Sequence, residues 1–322
     1  MKKIFIKIAK ILGFEIIDQN KFSSPTLNKE LSEELSIINK KSIVLPLGEV
    51  KITRKVNTIL IIVRMNTEVE IWDQNKKRLF EEPKIEYSIR SINSLITTIS
   101  FCQKKYPNLK IKTVIIDDHS TMENLDRIKN LINGKDIEIL PLDHNKFEKV
   151  IKTQKSRETF SNLASLLQSF QIGKDQADDL VFFLEDDYLH FESMLEEMIA
   201  SYERIASQLD RDIFMCPSDY PYLYMDNEKT SVLIGNKRHW RTISKTLCTF
   251  MTSKKLINNH WEKFYKTCLD RNDPFEKYLN EIYHEEICLS PITSLSLHLT
   301  NINSSYGLAP FIDYKKIWDQ NK

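Results

Sequence analysis

From residue 57 onward, short apolar runs alternate with stretches of helical spacing. The runs "NTILIIVRMN" (57–66), "IKTVIIDDHS" (111–120), "DIEILPL" (136–142) and "LVFFL" (180–184) are too short for buried helices and read as strands. Between them, "YSIRSINSLITTISFCQKKYP" (87–107) repeats apolar residues at helical spacing through Ile89, Ile92, Leu95, Ile96 and Ile99, and stops before Pro107. "MENLDRIKNLI" (122–132), followed by Gly134, and "SRETFSNLASLLQSFQI" (156–172) carry the same spacing. Strands and helices in alternation predict an α/β fold with a mostly parallel, Rossmann-type sheet covered by helices on both faces. Beyond it, 191–209 reads as a long amphipathic helix, 212–224 and 246–257 as further strands, and 258–286 as largely helical. The tail from Leu289 reads as looser. Residues 1–55 form an N-terminal extension, and 56–210 and 211–322 are two halves of one continuous domain spanning 56–300. "DQNK" occurs at 18–21, 73–76 and 319–322, but its flanks differ, so it marks no structural repeat.

The chain has 322 residues, 41% hydrophobic and 28% charged, which suits a globular core. A net charge of +1 gives no general attraction to nucleic acid. No apolar run approaches the ~18 residues needed to span a bilayer. Five widely spaced cysteines without a CxxC pair argue against a disulfide framework and for a reducing compartment. The six glycines form neither GxGxxG nor a Walker-type loop. At the N-terminus, "MKKIFIKIAKILGF" is interrupted by Lys7 and Lys10 and lacks a small-residue cleavage site, so it is not read as a signal peptide. On a helical wheel Ile4, Phe5, Ile8, Ile11 and Leu12 share one face, and Lys3, Lys7 and Lys10 another. Such a helix lies on an anionic membrane surface or docks on the protein's own body. These features predict a cytoplasmic protein, and of the two readings of the helix the first would give peripheral contact to the inner membrane face through residues 2–14.

Two acidic clusters stand at predicted strand ends. Asp117 and Asp118 follow "TVII", and Glu185, Asp186 and Asp187 follow "LVFFL". Two carboxylates at ~5 Å repel by roughly 3 kcal/mol at an effective dielectric near 20, so something positive is expected there. In open α/β sheets ligands bind beyond the carboxyl ends of the strands. Paired carboxylates from one segment suit Mg²⁺ or Mn²⁺ with positions left for phosphate oxygens. Solvated turn acids are the plainer alternative, and the repetition of the pattern favours the metal.

"VIIDDHS" and "FFLEDDY" resemble, respectively, the second-strand signature and the DxD-type motif of GT-A glycosyltransferases of the bacterial family-two type. Asn162 is similar to an Asn common on the helix before that motif, and the resemblance spans roughly 57–300. His119 stands where the family usually has Gly, and Glu185 where it has Asp. The resemblance implies a GT-A-like fold, with 56–210 taking a nucleotide-sugar and 211–322 forming an acceptor-binding region. It implies that Asp118 contacts the nucleotide base and Asp117 shapes the turn. Arg64 and Asn66 would line the nucleotide pocket. Asp187 would ligate Mn²⁺ or Mg²⁺, Glu185 would hold metal-bound water or the sugar, and Asp186 the ribose or donor sugar.

In the C-terminal third, "DRNDPFEKYLNEIYHEE" (270–286) offers Asp273 and Glu276, either as helix cap and capping box or, by the resemblance, as the general base. Both are preferred over Glu285 and Glu286. His298 is either a metal ligand or a satisfied core histidine. "GNKRHWRT" (235–242) reads as a basic loop in which Arg238 and Arg241 would neutralise a departing diphosphate and Trp240 would stack on a sugar; a solvated loop is the alternative. Asp219, with Tyr220, Tyr222 and Tyr224, suits sugar hydroxyls or core packing. The implied activity is divalent-metal-dependent transfer of a sugar from a nucleotide-diphosphate donor to a hydroxyl of a glycan or lipid-linked glycan, inverting with a carboxylate base. A sugar nucleotidyltransferase is the alternative, disfavoured by the absence of glycine from 64–78. A non-catalytic carbohydrate-binding protein on the same fold is a second alternative, for which the altered "DDHS" turn and Glu185 leave room.

Overall fold

The computed structural model describes residues 2–14, 16, 36–39, 41–44, 48–68, 78–152, 156–225, 228–300 and 302–322. The chain opens with helix α1 (Lys2–Ile11), then a small antiparallel sheet of β1 (Ser36–Ile37), β2 (Lys41–Val44) and β3 (Gly48–Lys51). The expected α/β alternation follows as β4 (Thr58–Met65), α2 (Lys84–Lys105), β5 (Lys110–Asp117), α3 (Met122–Ile132), β6 (Ile137–Pro141), α4 (His144–Phe147), α5 (Arg157–Gln176) and β7 (Leu180–Glu185). Strand β8 (Tyr188–His190) and helix α6 (Met194–Leu209) lead into the second half. That half contains β9 (Phe214–Met215), β10 (Val232–Ile234), β11 (His239–Ile243), β12 (Phe250–Ser253), α7 (Lys254–Asn259), α8 (Trp261–Thr267), α9 (Lys277–Glu285), β13 (Cys288–Ile292), β14 (Ser296–His298) and α10 (Tyr314–Gln320).

Nine strands form one sheet in the order β10-β11-β13-β9-β12-β7-β4-β5-β6. The block β7-β4-β5-β6 is parallel throughout, and β12 joins β7 antiparallel. Successive residues of β4 point to opposite faces. Ile59, Ile61 and Val63 enter the core under α2 and α6, while Leu60 and Ile62 enter the core under α5 and α8. Both faces are covered, which explains the uninterrupted apolar run, and each such buried side chain contributes roughly 1.5–3 kcal/mol. A separate ribbon pairs β14 with β8, setting His298 opposite Tyr188.

Several expectations for the second half are corrected. Residues 212–224 hold only the two-residue β9 and a 3-10 turn at Pro221–Tyr224, and 246–257 split into β12 and α7, with Ser253 accepting from the Leu256 N–H as the helix cap. Residues 239–242 belong to a strand, because β11 pairs with β13 on one side and β10 on the other. The tail is more ordered than expected. Its last helix, α10, is clamped by Trp318, which stacks on Phe80 at 4.2 Å and lies under the Arg90 guanidinium at 4.3 Å. No described helix is long and apolar enough to cross a membrane. Two "DQNK" copies and the 69–77 stretch lie outside the described residues, as does the Lys3 side chain.

Candidate active site at the strand ends

The register of the parallel block gathers the acids. Arg64 lies beside Glu185 on β7, and Met65 lies beside Asp117 on β5, so both clusters emerge at one edge. The three acids after β7 then take different surroundings. Glu185 pairs with Arg64, whose guanidinium also donates to the Asn162 side-chain oxygen at 2.7 Å. Burial works against the Arg64 charge, but Glu185 offsets this and its pKa is raised. Asp186 accepts from Lys84 Nζ at 2.6 Å, from Ser88 Oγ at 2.5 Å and from the Asn66 N–H at 3.3 Å. The expected positive charge is therefore supplied to Glu185 and Asp186 by the chain's own Arg64 and Lys84. This corrects the expectation that a metal alone would answer the whole cluster.

Asp187 differs. Its Oδ1 is buried without a hydrogen-bond partner among the described residues, and its Oδ2 lies 3.3 Å from His298 Nε2. The imidazole is fixed by two contacts. Its Nδ1 donates to the Tyr306 carbonyl at 2.8 Å, and its ring stacks on Tyr188 at 4.7 Å. With Nδ1 carrying the proton, Nε2 presents a lone pair to a carboxylate oxygen unless a cation, either a proton or a metal, joins them. Burial lowers the His298 pKa, but Asp187 more than compensates and the net shift is upward. Burial raises the Asp187 pKa, but His298, Lys84 and Arg64 hold it below the usual carboxylate range. The His298 imidazole and the Asp187 carboxylate, one of whose oxygens is orphaned, form a donor set that fits a divalent ion.

The expected nucleotide-side residues also come together. Asn66 Nδ2 donates to Asp118 Oδ2 at 3.0 Å, and Asp117 accepts the Ser120 N–H at 3.3 Å within the turn. Burial raises the Asp117 pKa. Glu276 stands at the start of α9 without capping it, so the capping-box expectation fails. Instead it is half-buried near Glu185 and Arg64, and burial, augmented by the Glu185 charge, pushes its pKa up to about 7. Asp273 is exposed.

The region around β11 departs most from expectation. Trp240 is fully buried against α6, its Nε1 donating to Ser201 Oγ at 3.1 Å, so it offers no face to a sugar. Gly235 passes so close that an added Cβ would stand 2.3 Å from that nitrogen. Arg241 is buried with Asp219, which Tyr224 also contacts, and Arg238 donates to the Thr293 carbonyl at 2.8 Å. Sequence reasoning missed Lys84, Ser88, His144 and Thr249, whose hydroxyl donates to Glu185 Oε2 at 3.3 Å. His144 follows β6 and was open to the same strand-end logic as the acids; Lys84 and Ser88 carry no comparable local signal.

No protein-family model matches the sequence, and no curated protein is similar to it. Solved structures similar to the chain include GT-A-fold glycosyltransferases. S. aureus TarS, residues 1–349, is 13% identical at a TM-score of 0.37, over 63% of this chain and 48% of that one. A galactosyltransferase, LgtC, with donor and acceptor sugar analogues is 13% identical at 0.35, over 70% of each chain. The inositol-1-phosphate CTP transferase of T. maritima is 13% identical at 0.40, over 83% of this chain and 96% of that one. The chain thus spans about half the length of the TarS fragment. Likeness at these scores carries nothing about substrate or mechanism, and the functional reading rests on the side chains.

Proposed function

We propose that the chain is a glycosyltransferase moving a sugar from a nucleoside-diphosphate donor to a hydroxyl of a glycan or lipid-linked glycan. The carrying observation is the Asp187–His298 pair, with its orphaned carboxylate oxygen and an imidazole whose Nε2 is left for a cation. Asp187 and His298 would hold Mn²⁺ or Mg²⁺, which when bound offsets charge on the departing diphosphate. Arg64 and Asn162 orient Glu185 towards the donor, and Lys84 and Ser88 hold Asp186 for its ribose or sugar hydroxyls. Asn66, Asp117 and Asp118 border the nucleoside. Glu276, with a pKa near the working pH, takes the acceptor hydroxyl proton as general base, which gives inversion. Residues 56–210 serve the donor and 211–322 the acceptor.

The test is a panel of UDP-, GDP-, CMP- and dTDP-sugars with Mn²⁺, reading released nucleotide. Release of nucleoside diphosphate, lost in Asp187→Ala with the fold intact, is the expected result. Pyrophosphate made from NTP and sugar phosphate would mean a nucleotidyltransferase instead. Near-normal turnover by Asp187→Ala would remove the metal role.

We further propose that α1 brings the enzyme to an anionic membrane surface, where lipid-linked acceptors stand. Ile4, Phe5, Ile8, Ile11 and Leu12 are all at least half exposed, so the helix does not bury its apolar face against the described body. Lys7 and Lys10 are exposed as well, each worth ~1 kcal/mol near anionic lipid. The full chain should sediment with phosphatidylserine vesicles at low salt and be released at high salt. Sedimentation unchanged by deleting residues 1–14 would refute the role of this helix.

A further inference from the structure

Beyond the Asp187–His298 pair, a second group of metal-competent donors stands on the other flank of β4. Asp118 directly follows β5, His119 comes next in the same turn, and His144 begins α4 after β6. Their ligand atoms converge within 4.8 Å of one another. His119 Nδ1 lies 3.1 Å and His144 Nε2 2.9 Å from the same Asp118 Oδ1. Ser161 Oγ, from the first turns of α5, lies 3.4 Å from that oxygen and 3.3 Å from His144 Nε2. Four ligands at about 2.0–2.2 Å from a tetrahedral ion stand about 3.3 Å apart, so these spacings match the edges of such a site.

The supports around the donors are built to hold them. Asn66 Nδ2 ties down the other oxygen of Asp118, leaving Oδ1 as a single donor aimed at the imidazoles. His119 adopts φ 59°, in the left-handed region that a glycine would occupy without strain, and this brings its ring over His144 at 4.3 Å. The His144 ring is held edge-on by Phe160 at 5.6 Å. Second contacts of this kind fix ligand orientation in metal sites.

We infer that Asp118, His119 and His144 form a site for a borderline divalent ion such as Zn²⁺, distinct from the Asp187–His298 pair, with Ser161 or water completing it. Two imidazole nitrogens and one carboxylate oxygen suit Zn²⁺ or Co²⁺ better than Mg²⁺, which prefers all-oxygen surroundings. The site belongs to β5 and Asp187 to β7, with β4 between them, so roughly 10 Å of sheet separates the two at ~4.8 Å per strand. The site shares Asp118 with the proposed nucleoside border, while His119 and His144 take no part in the donor reading.

Metal-free full-length protein is titrated with Co²⁺ and with Zn²⁺, reading the visible d–d bands of Co²⁺ and the calorimetric affinity of Zn²⁺. One equivalent of tightly bound Co²⁺ with a four-coordinate spectrum is expected, displaced by Zn²⁺. His144→Ala and His119→Ala should each weaken Zn²⁺ at least tenfold, whereas Asp187→Ala should leave it unchanged. His119 is exposed, so its variant keeps the test open if His144→Ala misfolds. Absence of the spectrum, or tight binding that survives both histidine variants, would show a hydrogen-bonded cluster only. Loss of the band in Asp187→Ala alone would place the ion at the other pair.

Discussion

Replacing Glu276 by Gln should stabilise the protein at alkaline pH while disabling it. Burial and the Glu185 charge raise the folded-state pKa of this carboxyl from 4.5 to about 7. Because the folded pKa lies above the unfolded one, the favourable contribution is complete below the unfolded value. It is lost as pH rises through the folded value. At 1.36 kcal/mol per pH unit, holding the ionised carboxylate in its half-buried place at pH 8 costs about 3 kcal/mol. Glutamine retains the shape and removes that charge. Urea unfolding at pH 4 and pH 8 should give nearly equal stabilities for the two proteins at pH 4, below the unfolded value. At pH 8 the Gln variant should be the more stable by about 3 kcal/mol. Glu203 is also pushed up to about 7 by burial, but it titrates in both proteins and cancels in the difference. Turnover should fall by about 10²–10⁴, the usual loss on removing a general base. A stability difference independent of pH, or a Gln variant that turns over normally, would refute the assignment.

Two further substitutions test the packing beneath the site. Lys84→Met should destabilise by about 3–5 kcal/mol in urea unfolding, because it strands the buried Asp186 carboxylate; adding Asp186→Leu should recover much of that loss. Equal instability of the single and double variants would contradict the pairing. Trp240→Ala should cost about 3–5 kcal/mol without a specific effect on acceptor KM, since the ring fills the space beside α6 and Gly235. A stable variant with weakened acceptor affinity alone would restore a sugar-stacking role.

The parallel block was readable because its strands are buried on both faces. "NTILIIVRMN" needs no partner information to read as a strand, and β4 spans Thr58–Met65 within it. The acids at the ends of β5 and β7 were likewise visible, since strand ends are where polar side chains leave the sheet. Their partners were not. Lys84 reaches Asp186 only because α2 packs across the sheet, over a separation of 102 residues. His298 reaches Asp187 through the β8–β14 ribbon, a pairing that three-residue strands do not announce. In "GNKRHWRT" the charges suggested a solvated loop, yet pairing with β13 buried Trp240 and Arg241. Long-range pairing, which local spacing does not encode, decided each of these.

The most direct test of the central claim is Mn²⁺ binding followed by electron paramagnetic resonance, with and without UDP, GDP, CDP and dTDP. Mn²⁺ should bind weakly alone and at least tenfold more tightly with one of the diphosphates. That gain should be lost in Asp187→Asn and in His298→Ala, and kept in His144→Ala. Coupled binding that survives Asp187→Asn and His298→Ala, or no coupling to any of the four nucleotides, would contradict it.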